Sequence, residues 1–297
     1  MPVVKVTERV GFVPGAVNIG VLIGNSGQCA LIDTGLNDTS AKKALNAIAD
    51  DIGLPVTQIL TTHAHADHFG GNATVVKRTG AKVWAPAIDE AILRYPLLSP
   101  TFLFAGADPP PSMRGGFLLA DASPVDRIIA MPSVEFDGIP VEVVPLYGHS
   151  PGQVGYLAGG VFFCADVVLP GAVLQKFRIP YLFSVTDHLK SLDLARTVDC
   201  HAVIPGHGDR AASIEPSVAA NKALCMRVAE CILDITRRPD TAESLLIKVL
   251  ERFDAPISNP GSYFLLHPTI YAFLSHLERA GVIASEIDAK RLLWRAL

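Results

Sequence analysis

Between Thr61 and His68 the chain reads Thr-Thr-His-Ala-His-Ala-Asp-His, three imidazoles and a carboxylate within six residues, directly after the apolar pair Ile59-Leu60. Imidazole nitrogen and carboxylate oxygen are the ligands that zinc and its divalent neighbours prefer. Packed this closely, such groups repel one another on protonation and strand polar atoms if buried without partners. A metal removes both difficulties. His63 and His65 are two residues apart, so an extended backbone points both the same way. Asp67 and His68 are adjacent and diverge, which suits two neighbouring ions better than one. Three more polar residues follow strand-like runs: His149 after Val141–Leu146, Asp166 after Val161-Phe162-Phe163-Cys164-Ala165, and His207 after Ala202-Val203-Ile204. Asp33 does the same after Leu31-Ile32. Taken singly each is an ordinary surface or core residue; the recurrence of the whole set at strand ends is what points to one metal centre.

The elements that must position these side chains alternate between strand and helix over the first two thirds. Strands are expected at Val17–Ile23 and Gln28–Asp33, joined by the turn Gly24-Asn25-Ser26-Gly27 into a hairpin. Further strands are expected at Val56–Leu60, Lys82–Ala85, Asp126–Met131, Val141–Leu146, Val154–Ala158, Val161–Val167 and Ala202–Ile204. Helices are expected from a Ser40 cap to about Asp51, at Asn72–Thr79 and at Thr186–Thr197. Residues 97–123 are irregular but carry Phe102, Phe104, Met113 and Phe117, too many large apolar groups for a disordered insert, and are read as a lid or pocket wall. After residue 212 the pattern turns helical: Ser213–Arg238, Ala242–Phe253 and Pro268–Ala280, with Pro268 in a first turn, then a short hairpin from Gly281-Val282-Ile283 and Leu292–Leu297. The division expected is 1–212 for a catalytic domain and 213–297 for a winged-helix-like module. Ten acidic and ten basic residues balance in that module, which favours packing or dimerisation over DNA reading.

Composition narrows the class. With 49% hydrophobic and 18% charged residues over 297 positions there is material for a large core, and a formal charge of -4 gives no electrostatic footprint for nucleic acid. The N-terminal residues have no apolar run of the secretory kind, and no segment is long and apolar enough to span a bilayer. Five cysteines, odd in number and without CxxC spacing, read as free thiols, so a cytoplasmic location is expected.

His63, His65, Asp67 and His68 form an intact HxHxDH motif, and with His149, Asp166, His207 and Asp33 in order the chain resembles the metallo-β-lactamase-fold superfamily over about residues 15–212. The resemblance implies an αββα sandwich of two mixed sheets with helices outside. It implies that His63, His65 and His149 hold a first ion, that Asp67, His68 and His207 hold a second, and that Asp166 bridges them. Two divalent ions are thereby implied, zinc first, with iron or manganese as alternatives. Zinc β-lactamases that degrade antibiotics usually carry a cysteine where this chain has Asp166. The full set is instead similar to glyoxalase II, to lactonases and to ribonuclease branches. Ala165 departs from the glycine that many relatives place before the bridging aspartate.

Two such ions, about 3.5–4 Å apart, share one water and lower its pKa toward neutrality, so a metal-bridging hydroxide is the expected nucleophile. Asp67 is read as a ligand that also orients the hydroxide, and Asp33 as an acceptor that fixes the tautomer of a ligand imidazole. A small ester, thioester or lactone is the expected substrate, with Phe102, Phe104, Met113, Arg114, Arg178 and Tyr181 as pocket candidates, and Lys176 and Phe183 beside them. The rival readings are a phosphodiesterase or ribonuclease of the same fold, a mononuclear-iron persulfide dioxygenase, and a metal-binding scaffold without catalysis. A homodimer through the C-terminal helices is compatible with the pattern, and nucleic acid is a disfavoured partner.

Overall fold

A computed structural model describes residues 2–297. The first sheet runs, in spatial and chain order, through β1 (Val4–Lys5), β2 (Val10–Val13), β3 (Ile19–Ile23), β4 (Cys29–Ile32), β5 (Val56–Leu60), β6 (Lys82–Ala85) and β7 (Arg127–Ile128). Its first four strands pair antiparallel and β4 to β7 pair parallel. The second sheet contains β8 (Ser133–Phe136), β9 (Ile139–Pro145), β10 (Val154–Ala158), β11 (Val161–Ala165) and β12 (Ala202–Pro205), in the spatial order β12-β11-β10-β9-β8. Only its β11–β12 pair is parallel.

Strand alternation explains the layering. In β4, Ala30 and Ile32 face a core shared with Tyr156 and Phe163 of the second sheet, while Cys29 and Leu31 face the opposite way. There they meet Ala41, Ala44 and Ile48 of α1 (Asp38–Asp51) and Val75 of a later helix. Phe162 and Cys164 of β11 likewise turn outward, onto Leu192 and Ala195. Strands that are apolar on both faces thus lie between helical layers, which makes the αββα sandwich that the resemblance implies. The remaining helices in order are α2 (Ala66–Phe69), α3 (Asn72–Thr79), α4 (Asp89–Arg94), α5 (Leu98–Leu103), α6 (Gly171–Phe177), α7 (Val185–Ala195), α8 (Glu215–Ile235), α9 (Ala242–Phe253) and α10 (Pro260–Arg279), followed by the antiparallel hairpin β13 (Ile283–Asp288) and β14 (Arg291–Ala296).

Several expected bounds shift, each for a local reason. Asn37, not Ser40, caps α1; Ser40 is the third residue of the helix and completes a capping box. The strand expected over Asp126–Met131 is paired only at Arg127–Ile128, at the edge of the first sheet, and Pro132 ends the extended run before β8, which the pattern did not suggest. Pro268 lies inside α10, not in its first turn. The Asn259 capping box starts that helix more than two turns earlier, and burial of Leu266, Ile270, Phe273 and Leu274 outweighs the hydrogen bond that proline forgoes. Residues 97–123 are not wholly irregular: they contain α5 and a 3-10 turn at Pro111–Met113. Leu103, Met113 and Leu118 of that segment pack together against Phe264 and Leu265 of α10.

The three C-terminal helices and the hairpin share a core with Ile179, Leu182 and Val185, so they are packed onto the segment leading into α7. Phe273 is fully buried at its centre. Phe273→Ala is expected to cost about 3–5 kcal/mol, measured by urea denaturation; a loss below about 1 kcal/mol would contradict this shared core.

Candidate metal centre

Five strand ends meet at one rim of the sandwich. Beyond β4 the chain reaches Asp33, beyond β5 the histidine run, beyond β9 His149, beyond β11 Asp166 and beyond β12 His207. Two of these turns are tight. Asp33 (φ 61°) and Ala165 (φ 48°) both take the left-handed conformation, which costs an L-residue roughly 1–2 kcal/mol. The glycine that relatives favour at the Ala165 position is thereby accounted for: the chain must reverse sharply there to bring Asp166 back over the rim.

The rim places His63 Nε2 3.0 Å and His149 Nε2 2.9 Å from His65 Nδ1. His68 Nε2 lies 3.5 Å from one oxygen of Asp166, while His149 Nε2 and His207 Nε2 lie 3.5 Å and 3.3 Å from the other. His207 Nε2 is also 3.4 Å from Asp67. Ligand atoms therefore gather within 4.8 Å in three overlapping groups: His63, His65 and His149; His63, His68 and Asp166; Asp67, His68 and His207.

The outer ring nitrogens decide what faces inward. His68 Nδ1 donates to Asp33 at 2.7 Å, His149 Nδ1 to the Tyr181 carbonyl at 3.2 Å and His207 Nδ1 to the Ala16 carbonyl at 2.6 Å. Asp33 also accepts from the Thr62 amide and hydroxyl, and His63 Nδ1 lies 3.0 Å from that hydroxyl. With Nδ1 protonated, each Nε2 presents a lone pair to the centre. Lone pairs aimed at one another repel, and His68 Nε2 and Asp166 Oδ1 are buried without a hydrogen-bond partner. This donor set, all nitrogen and carboxylate oxygen, fits divalent metal ions.

Electrostatics agree. Burial, reinforced by neighbouring imidazoles, keeps His63 well below the usual histidine range and brings His149 down to about 3. Burial opposes charge on His68 and His207 as well, but Asp166 overrides it, with Asp33 aiding at His68 and Asp67 at His207; His68 rises well above its usual value and His207 to about 10. The carboxylates thus favour protonation of the His68 and His207 imidazoles.

Several supporting residues carried no signal in the sequence. Asp89, fully buried at the start of α4, accepts from Ala64 N at 2.9 Å, Ser150 Oγ at 2.7 Å and Gly152 N at 2.9 Å. One carboxylate so ties the His63–His65 turn to the His149 loop. Asn18 donates to the carbonyls of Pro205 and Gly208, at 2.9 and 2.8 Å, and frames His207. Tyr156 Oη donates to Thr61 O at 2.7 Å. Gly206 is a close-approach glycine: a β-carbon there would meet Asp166 Oδ1 at 2.1 Å and His68 Cε1 at 2.9 Å.

A cavity of about 1330 Å³ opens over the centre, bordered by His65, Asp67, His149, Asp166 and His207. Of the pocket candidates, Phe102 and Tyr181 lie on its wall, as do Lys176 and Phe183. Four of the candidates stand elsewhere. Met113 is fully buried among Leu103 and Leu118, with Phe104 packed on the same cluster and against Phe264. Arg114 is spent on Asp108 and on the Pro109 carbonyl, and Arg178, which ends α6, is off the wall.

The family model described as metallo-beta-lactamase superfamily matches residues 13–207, well over half of the chain, and this protein belongs to that superfamily. Among curated relatives it is similar to a hydroxyacylglutathione hydrolase of Maricaulis maris, 49% identical over 74 residues, which cover 24% of this chain and 27% of that protein. It is also similar to the hydroxyacylglutathione hydrolase GloC of Haemophilus influenzae, 26% identical over 160 residues, 52% of this chain and 68% of the relative. The first match therefore spans only about a quarter of the relative's length and the second about two thirds. A solved structure, a beta-lactamase domain protein from Burkholderia ambifaria, superposes with a TM-score of 0.77 at 20% identity, covering 100% of this chain and 97% of that one; the likeness is one of fold. Among the described residues no helix is long and apolar enough to cross a membrane, and all five cysteines are free.

Three outcomes are expected of the centre. Because metal displaces protons held by His68 and His207, zinc affinity should fall as pH is lowered below about 10, roughly tenfold per pH unit for each proton displaced. Calorimetry in buffers of different ionisation heats measures this; a pH-independent affinity would contradict it. Asp89→Ala leaves three donors unpaired and should weaken zinc binding at least tenfold, read by chelator competition, and unchanged affinity would count against its role. Ala165→Gly should keep full metal binding and leave thermal stability unchanged or raised by up to about 1 kcal/mol.

Proposed function

We propose that this chain is a metal-dependent hydrolase that holds two divalent ions, zinc in the first instance, and cleaves a carboxylic ester, thioester or lactone. The observation that carries the reading is the position of Asp166, whose two oxygens lie 3.3–3.5 Å from His68, His149 and His207, between two groups of ligands. His63, His65 and His149 would hold one ion, Asp67, His68 and His207 the other, and Asp166 both. When bound, the ions supply Lewis acidity and bring a water toward ionisation near neutral pH.

The chain's own residues supply the rest. Asp33, Tyr181 O and Ala16 O hold the imidazoles of His68, His149 and His207 in the tautomer that leaves Nε2 free. Asp67 borders the cavity; burial opposes its ionisation, but the His207 hydrogen bond and the nearby His68 bring its pKa down to about 2. An ionised carboxylate in that place accepts a hydrogen bond from the attacking water and orients it. The apolar wall excludes bulk water and limits side reactions.

Support for an acyl substrate comes from the relatives, whose names specify hydrolysis of a hydroxyacylglutathione, an acyl–sulfur bond. It comes also from the wall. Among the described residues that line it, the charged side chains outside the imidazole–carboxylate cluster are Lys43 and Lys176. A phosphodiester polymer is met by a track of cations, so the ribonuclease reading is disfavoured. We further propose that residues 213–297 serve the site as wall, since Pro256, Ser262, Leu265 and Leu266 border the cavity.

Asp166→Ala and His68→Ala are each expected to reduce bound metal and to lower thioester kcat/KM by a factor above 100. Metal analysis and a thiol-release assay on the same preparations give the answer. Full metal content with full turnover in both variants would overturn the assignment.

A further inference from the structure

Five large apolar side chains that are more than half exposed, Ile88, Phe102, Phe117, Phe177 and Phe183, all border the cavity over the metal centre. They come from separate places in the chain: the turn before α4, α5, the segment after the Pro111–Met113 turn, α6, and the loop before α7. Their grouping is therefore no by-product of one element's periodicity. Isolated exposed apolar residues need no explanation, but a ring of them round one opening marks a surface that an apolar ligand covers. Within the ring the wall continues with Leu103 and Leu118, and α10 adds Leu265 and Leu266. The volume, about 1330 Å³, exceeds the roughly 300–1000 Å³ of ordinary small-molecule sites.

Hydrogen-bonding capacity points the same way. Several polar side chains of the wall are already committed to the fold: Asn37 and Ser40 form the cap of α1, Ser150 donates to Asp89, and Ser262 donates to the Asn259 carbonyl. A peptide, sugar or nucleotide seated on such a wall would bury donors and acceptors with few partners. A hydrocarbon chain asks for none.

We propose, on the basis of the hydrolase reading above, that the substrate is an ester or thioester of a medium- to long-chain fatty acid. Its chain lies in the apolar cavity and its carbonyl at the floor beside Asp67, Asp166 and His207. In the reaction the oxygen of water bonds to the acyl carbon, and the bond from that carbon to sulfur or oxygen breaks. The electron pair leaves on the sulfur or oxygen, which takes one proton, and the fatty acid releases the other.

The test uses the zinc-loaded chain with a series of acyl thioesters from four to sixteen carbons and the matching non-hydrolysable thioethers. From the transfer free energy of a methylene, kcat/KM and thioether affinity should each rise roughly fourfold per added carbon until the cavity is full. Phe117→Ala and Phe183→Ala, at exposed positions, should each lower kcat/KM for the twelve-carbon ester roughly tenfold relative to the four-carbon one. Turnover of short thioesters with flat length dependence would overturn the fatty-acyl assignment and leave the hydrolase standing. Length-dependent thioether binding without turnover of any thioester would support the cavity assignment and sink the hydrolase instead. A hydroxyacylglutathione preferred over every fatty acyl thioester would overturn the proposal. So would turnover confined to vesicle-bound substrate, which would make the ring a membrane-docking surface.

Discussion

The interaction on which the rest depends is between the Asp166 carboxylate and the imidazoles of His68, His149 and His207; the first three of these groups are buried and His207 is about one fifth exposed. Charges and lone pairs so confined are unfavourable unless positive charge is supplied at the centre. The fold accepts that cost in several places. Asp33 and Ala165 hold left-handed backbone where β4 and β11 end, Gly206 gives up its side chain to let Asp166 and His68 approach, and Gly148 lets the backbone of His188 pass behind His149. Strain and close approach concentrated at one rim are what a site built for a ligand looks like.

Around this centre the parts that hold the polar cluster and the parts that wall the cavity coincide only in places. Two sheets pinned by a shared core carry the histidine and aspartate cluster at strand ends, and Asp89 locks two of its loops to each other. The cavity is bordered by the sandwich's own turns between Val13 and Ile19 and between Gly35 and Lys43, and also by α5 and the segment after it, α6, and α10. The histidine and aspartate cluster, α5 and α6 all lie within residues 13–207, which the family model matches, whereas α10 lies beyond them.

This partial separation explains what could be read without coordinates. The polar cluster was legible because metal binding demands particular residue types, and His63, His65, Asp67, His68, His149, Asp166 and His207, singled out by type, are brought together at one rim. The buried strands were legible as apolar runs, β5 and β6 to the residue. Asp89 was not, since a carboxylate that satisfies two backbone amides and a hydroxyl has no signature until distant loops meet. Nor could Met113, a core residue, be told from Phe102, a wall residue, because both are large apolar groups in one irregular segment. The start of α10 was misplaced because Pro268 is a strong local signal, while the packing that overrides it comes from α5, α8 and α9.

The central claim is that Asp166 is shared by two metal ions. Anomalous diffraction at the zinc edge, from crystals of chain purified with zinc and washed free of excess, measures it most directly. The account predicts two peaks per chain, about 3.5–4 Å apart, one beside His63, His65 and His149 and the other beside Asp67, His68 and His207, with Asp166 between. A single peak bound by His63, His65 and His149, with Asp67 and His207 turned away, would contradict it.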